Sequence, residues 1–318
     1  MKRKILISVP HYDERCKEGL KILEENNCEP IITQNGRPYT FEELKEIIGD
    51  IDAAIAGVDT WDASVFEYAK KLKGVARFGI GVDNFNLEDF KKYGVHATNT
   101  PGINRNSVAE HAVTLILCTV RNIPKLNRTT REGAWDRFIC HELVGQTVGL
   151  LGFGGIARSV AEKLKPFGVK LLAFDTYPNY EEAERLGVTL CSMDEVITKS
   201  DIISIHVPCT EETRGLINKD TIAKMKDGVF LINTARGPIV KEDDLYEALV
   251  SGKIAAHGTD VFEKEPVDLN HPLFSLENYI CTPHTAAESY ENYALTGAAT
   301  ARQVVAMLDG KTPEHQLA

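Results

Sequence analysis

Short apolar, β-branched runs alternate with longer stretches of helical periodicity along nearly the whole chain. That alternation predicts strands joined by helical crossovers, and so a parallel α/β architecture. In the first hundred residues the runs at 4–9, 29–33, 53–57, 75–78 and 96–98 read as strands, with helices between them such as 42–48 and 64–71. Together they make one small doubly wound unit. Val108, Ala112, Leu115, Ile116 and Thr119 then recur at helical spacing and predict a helix over 106–121, with a second over 124–132. The Pro101-Gly102 turn before them marks a domain break. A second series begins at Gly145, with strands at 147–151, 170–174, 202–206, 229–233, 255–259 and 279–281. A last helix over 290–308 is placed to return to the first unit. The expected fold class is α/β with two doubly wound parallel-sheet domains. The first covers 1–99 plus 289–318 and is discontinuous; the second covers 100–288.

Composition narrows this picture. A length of 318 residues suits two domains, and the net charge is −10 with no Lys/Arg-rich stretch, which argues against a nucleic-acid partner. The longest apolar stretch, 108–120, contains Glu110 and His111 and is too short to cross a bilayer. The basic start Met1-Lys2-Arg3-Lys4 leads straight into a strand and lacks a signal peptide's apolar core. Seven cysteines include no CxxC pair, so neither a disulfide framework nor a metal site is expected. Reduced thiols in a cytoplasmic protein fit that usage.

The chemistry is concentrated at strand ends. Gly152-Phe153-Gly154-Gly155-Ile156-Ala157 follows an apolar strand and opens a helix, the context that a dinucleotide-binding turn requires. Gly152 allows the tight turn, Gly154 lets backbone approach a pyrophosphate, and small Ala157 permits close helix–strand packing. Asp175 ends the next strand, where a carboxylate accepts hydrogen bonds from ribose hydroxyls and repels a 2′-phosphate, so NAD is favoured over NADP. His206 and Pro208 end a later strand over the expected adenosine pocket. A second glycine pair, Arg77-Phe78-Gly79-Ile80-Gly81, also follows a strand, but the next helix starts too late for a dinucleotide. It reads either as an ordinary loop or as a set of backbone N–H groups for a carboxylate, with Arg77 beside it for a second anion.

Three further segments, Asn233-Thr234-Ala235-Arg236-Gly237, Asp260 to Pro266, and Thr282-Pro283-His284-Thr285-Ala286, join the glycine turn and Asp175 in a pattern that resembles the D-isomer-specific 2-hydroxyacid dehydrogenases. The resemblance spans about Val75 to His284. It is nearest to the 3-phosphoglycerate dehydrogenase branch, through 77–84 and Trp135-Asp136-Arg137. It implies a flavodoxin-like substrate domain, a Rossmann NAD-binding domain, and a catalytic set of Arg236, Glu265 and His284. Arg236 offers a planar fork of donors for a carboxylate and the neighbouring keto oxygen. His284 exchanges the hydroxyl proton, and Glu265 is expected to orient its ring and raise its pKa. Cofactor contacts are expected from Gly152, Gly154, Gly155, Ile156, Asp175, His206, Pro208, Thr234, Ala235 and Asp260. Substrate contacts are expected from Arg77, Gly79, Ile80 and Gly81, with Arg137 an open candidate for a phosphate. Asp260 reads as a nicotinamide-end contact or a support for Arg236, and His111 as packing or interface.

The resemblance further implies a D-2-hydroxy acid as substrate: 3-phosphoglycerate, or glycerate with hydroxypyruvate, or alternatively a lactate- or glyoxylate-type acid. A homodimer through 106–132 follows from the same source. The competing reading is a non-catalytic NAD(H)-sensing binding protein of the corepressor kind. Gly155 departs from the family pattern, which often has a larger polar residue there, and this is expected to loosen the turn slightly.

Overall fold

The computed structural model describes residues 2–33, 37–268 and 270–318. It divides into two compact units, residues 1–104 with 288–318 and residues 105–287.

The first unit is a five-stranded sheet of β1 (Arg3–Ile7), β2 (Cys28–Ile32), β3 (Ala53–Ala56), β4 (Gly74–Arg77) and β5 (His96–Thr98). Their order is β2-β1-β3-β4-β5, every pair is parallel, and this is the flavodoxin-like winding. The central strands are apolar on both faces because both faces are covered. Leu6, Ala54 and Val75 pack on one side with Leu44, Phe66 and Phe90. Ile5, Ile7 and Ile55 pack on the other with Leu23, Val304 and Met307. Val304 and Met307 come from helix Tyr290–Leu308, which returns from the far end of the chain to lie against helix Lys17–Glu25. The two helices approach closely at paired glycines; a Cβ on Gly19 would sit 2.6 Å from the Gly297 carbonyl oxygen. The helix expected over 64–71 is shorter, Ala63–Phe66. Beyond it the N–H groups of Tyr68 and Ala69 reach back only three residues, so the chain tightens into turns on its way to β4.

The second unit holds β6 (Thr147–Leu151), β7 (Lys170–Phe174), β8 (Val188–Leu190), β9 (Ile202–Ile205), β10 (Val229–Asn233), β11 (Ile254–Thr259) and β12 (Tyr279–Cys281). They lie in the order β8-β7-β6-β9-β10-β11-β12, all parallel. This is the Rossmann winding, 3-2-1-4-5-6, with one extra strand at the edge. Six strands are expected from the sequence and seven are present; the one passed over is β8. Three residues directly after the helix-ending Gly187 are too few for periodicity to register. Their strand character comes from pairing with β7, Leu171 with Val188 and Ala173 with Leu190.

The helical pair before β6 also differs from expectation in what it exposes. Helix Arg105–Val120 buries Val108, Ala112, Leu115, Ile116 and Thr119 in its own unit. The exposed large apolar side chains lie further on: Ile123, Trp135, Phe138, Ile139 and Val144, with Trp135 85% and Ile139 101% accessible. Among the described residues no helix is long and apolar enough to cross a membrane, and no group of three or more His, Cys, Asp or Glu side chains is placed to hold a metal.

Candidate active site

The glycine turn is built from three local constraints. Gly152 has φ 95°, a left-handed conformation, and a Cβ there would lie 2.8 Å from the His206 carbonyl. Its N–H donates to the Phe174 carbonyl at 2.8 Å, so the turn is pinned between the ends of β7 and β9. Gly154 then caps helix Gly155–Leu164 in an extended conformation, and a Cβ on it would meet nothing within 4 Å. The N–H groups of Gly154, Gly155 and Ile156 have no partner among the described residues. An open cradle of N–H donors at the positive end of a helix is suited to a pyrophosphate.

Asp175 stands at the end of β7, as the ribose position requires, and it also shapes the turn. One carboxylate oxygen accepts from the Phe153 N–H at 2.6 Å and the other from the Tyr177 N–H at 2.8 Å. His206 bonds through Nε2 to Ser204 Oγ at 2.9 Å, and burial pushes its pKa down to about 4, so the ring is neutral at pH 7. Pro208 is exposed, and its carbonyl accepts from the Thr213 hydroxyl at 2.6 Å. Thr234 is 9% exposed and its hydroxyl has no hydrogen-bond partner among the described residues, an orphaned polar atom at the carboxyl end of β10. Ala235 follows, its N–H held by Asn233 Oδ1 at 3.0 Å. The cradle beside Gly154, the carboxylate at Asp175 and the orphaned Thr234 hydroxyl together fit a dinucleotide.

The three candidate catalytic residues come from three strand ends of the same sheet, after β10, β11 and β12. Gly237 lets the first two loops close up, because a Cβ there would sit 1.9 Å from the Phe262 carbonyl carbon. Arg236 donates through Nη1 to the Ala235 carbonyl at 2.7 Å, and the Asn233 amide holds the Arg236 carbonyl at 2.9 Å. Glu265 accepts from the Phe262 N–H at 3.0 Å and faces His284 Nδ1 at 2.6 Å. Burial pushes the Glu265 carboxyl up, but the His284 ring, the Phe262 N–H and the Arg236 charge outweigh it and hold it below the usual range. With Nδ1 paired to a carboxylate, that nitrogen carries a proton and Nε2 is the one left for substrate.

His284 sits at φ 51°, a strained position for a residue with a side chain. The loop around it is over-determined. Its N–H donates to the carbonyls of Asp260 at 2.9 Å and Thr282 at 3.0 Å. The buried Asp260 carboxylate accepts from the Thr282 hydroxyl at 2.6 Å and from the N–H groups of Thr285 and Ala286 at 2.8 and 2.7 Å. Asp260 therefore supports the loop of His284 in this structure. His111 joins the same network through Thr282 Oγ1 at 2.8 Å, a role that reading it as packing or interface misses. No local pattern signals that contact, since His111 and Thr282 are 171 residues apart.

In the five-stranded unit Arg77 ends β4, and Gly79, Ile80 and Gly81 follow it. Gly79 has φ 141°, and its N–H is taken by Thr100 Oγ1 at 3.1 Å and the Arg77 carbonyl at 2.9 Å. The N–H groups of Ile80 and Gly81 make no hydrogen bond among the described residues and are part-exposed. The Arg77 guanidinium folds back over Gly79 and donates to the Phe78 carbonyl. Arg137 is exposed in the segment after helix Ile123–Arg131.

The family described as "D-isomer specific 2-hydroxyacid dehydrogenase, NAD binding domain" matches residues 113–286. The chain is 42% identical over 310 residues to a D-3-phosphoglycerate dehydrogenase of Archaeoglobus fulgidus, covering 96% of this chain and 58% of that protein. It is 43% identical over 255 residues to a hydroxypyruvate reductase of Thermotoga maritima, covering 79% of this chain and 82% of that one. An apo D-lactate dehydrogenase structure from Escherichia coli superposes with a TM-score of 0.89 at 29% identity, over 99% of this chain and 100% of that one. The chain belongs to the D-isomer specific 2-hydroxyacid dehydrogenase family, a class of oxidoreductases that act on CH–OH donors. Its cofactor is NAD. It spans little more than half the length of the phosphoglycerate dehydrogenase it matches.

Proposed function

We propose that the protein interconverts a D-2-hydroxy acid and its 2-keto acid. The observation that carries this is the 2.6 Å pair of His284 Nδ1 and Glu265 Oε2, set beside Arg236 at the carboxyl edge of the sheet that also forms the glycine turn. NADH, when bound, supplies the hydride. Arg236 grips the carboxylate and polarises the keto oxygen. His284 gives a proton from Nε2 to that oxygen during reduction and takes it back during oxidation. Glu265 keeps the ring in the tautomer that leaves Nε2 outward and stabilises the imidazolium. Positioned proton transfer of this kind contributes roughly 10²–10⁴-fold.

The five-stranded unit is the proposed substrate domain, with the open N–H groups of Ile80 and Gly81, beside Gly79 and Arg77, as its anion-binding part. A three-carbon acid, 3-phosphoglycerate or glycerate with hydroxypyruvate, is the substrate class favoured by Arg77 and by the relatives. We assign a homodimer to the segment 123–144, on its five exposed apolar side chains. Seven unpaired cysteines favour a reducing, cytoplasmic setting. The test is NADH oxidation against phosphohydroxypyruvate, hydroxypyruvate, glyoxylate and pyruvate. Turnover with one or more is expected; tight NADH binding with no turnover on any would overturn the enzyme reading in favour of a nucleotide-sensing protein.

A further inference from the structure

Gly155, the residue expected to loosen the turn, carries no side chain of its own. Its place is filled from elsewhere. The Arg105 guanidinium lies against it, with Nε 2.8 Å and Cζ 3.2 Å from the position a Gly155 Cβ would take. Arg105 is the first residue of helix Arg105–Val120, is exposed, and makes no side-chain hydrogen bond or ion pair among the described residues. Arg158, in the first turn of the helix that begins at Gly155, is engaged: its Nε donates to the Phe153 carbonyl at 2.9 Å and its guanidinium lies 5.5 Å from the Phe153 ring centre. The nearby acid is engaged as well, since Glu182 pairs with Arg185 at 3.0 Å. So one exposed guanidinium, with no side-chain hydrogen bond or ion pair among the described residues, lies against Gly155, the first residue of helix Gly155–Leu164. Holding an unpaired, rotamer-rich side chain there gains little from the protein alone. A doubly charged pyrophosphate at the cradle would give it two acceptors.

We propose that Arg105 is a cofactor-binding residue, bringing a cation to the glycine turn from the start of a different helix. This rests on the reading of the turn as the NAD site. A Cβ on Gly155 would press on the Arg105 guanidinium, the group nearest to it. The ligand class it selects is the diphosphate part of a dinucleotide, independent of the base and the nicotinamide.

Direct titration of the whole protein with NADH, ADP-ribose and adenosine separates these parts. Arg105→Met keeps the stem and removes the charge; it should weaken NADH and ADP-ribose about tenfold, the scale of a charge-assisted hydrogen bond. Adenosine should bind as before. The dependence of NADH affinity on salt should become shallower, because an exposed charge pair is screened. Arg105→Lys should retain most of the affinity, and Arg105→Met with Gly155→Lys should recover it. Unchanged NADH affinity in Arg105→Met would overturn the proposal, as would an equal loss for adenosine, which would mean the turn itself had collapsed. Failure of the unaltered protein to bind NADH would sink the reading of the turn, and the proposal with it.

Discussion

Two glycine-bearing turns leave the carboxyl ends of parallel strands, one after β6 and one after β4, and they differ in the N–H groups they leave open. After β6 the helix begins at Gly155, three residues beyond Gly152, so free N–H groups and a helix N-terminus converge on one point. After β4 the next helix begins only at Leu87, and the Gly79 N–H is already taken by Thr100. That leaves two N–H groups with no helix behind them. The first arrangement suits a pyrophosphate and the second a small carboxylate. What separates them is the distance along the chain from glycine to helix.

That contrast can be tested from its largest consequence downward. His284→Ala should lower kcat about 10³-fold, the range of positioned proton transfer, while NADH still binds. Steady-state kinetics together with NADH titration reads both, and loss of NADH binding would show that His284 belongs to the nucleotide site. Gly152→Ala should raise the NADH dissociation constant at least about 100-fold and lower stability. Its φ is left-handed and its Cβ would enter the His206 backbone. Gly79→Ala should leave NADH binding intact and raise KM for the acid about tenfold, by straining the turn and pushing on Arg77. If the two glycine variants gave the same pattern, the division of labour between the turns would be wrong. At the small end, Arg77→Ala should hurt a phosphorylated substrate several-fold more than glycerate if Arg77 takes a phosphate; equal effects on both would remove that role.

The two units also differ in how acid acts on them. In the second unit, burial pushes His257 down to about 3 and His206 to about 4. The unfolded chain takes up a proton on each below about pH 6.5 and the folded chain does not. Their contribution to stability is therefore complete above that pH and is lost as the pH falls towards the folded values. By pH 5 buried His257 alone accounts for about 2 kcal/mol. In the first unit the sign reverses at Asp59, whose buried carboxyl is pushed up by desolvation against its Ser8 and Tyr39 donors. Its cost is relieved below the ordinary carboxylate range. Denaturant unfolding at pH 7.5 and 5, followed by Trp61 in the first unit and Trp135 in the second, should show the second unit failing first. His257→Gln should flatten the acid slope by about one proton. A stability independent of pH between 7 and 5 would contradict the burial of both rings.

Much of the site was legible because it is encoded in short spans. The strand–glycine–helix turn and the carboxylate at Asp175 are set by local spacing, and the strand-end positions of Arg236 and His284 by the apolar runs before them. What escaped were contacts between distant segments. Three-residue β8 has no periodicity of its own and exists through its pairing with β7. The His111–Thr282–Asp260 network joins residues from a helix and two strand ends. Arg105 lies just before the helix expected over 106–121 and carries no motif of its own, and only its position against Gly155 sets it apart. The apolar character of helix Arg105–Val120 was equally ambiguous, since periodicity says that a face is buried and not against what.

By itself, then, the sequence determined the alternation that makes two parallel sheets, the glycine turn with its nearby acid, and the residue types of the proposed proton-transfer set. These follow from side-chain chemistry and spacing over a few residues, where the backbone has few choices. The tertiary structure decided which ring nitrogen of His284 faces Glu265, what holds the strained loop of His284, and which cation lies on the turn. Each of those depends on groups tens to hundreds of residues apart meeting within about 3 Å, which only packing and hydrogen-bond geometry can impose.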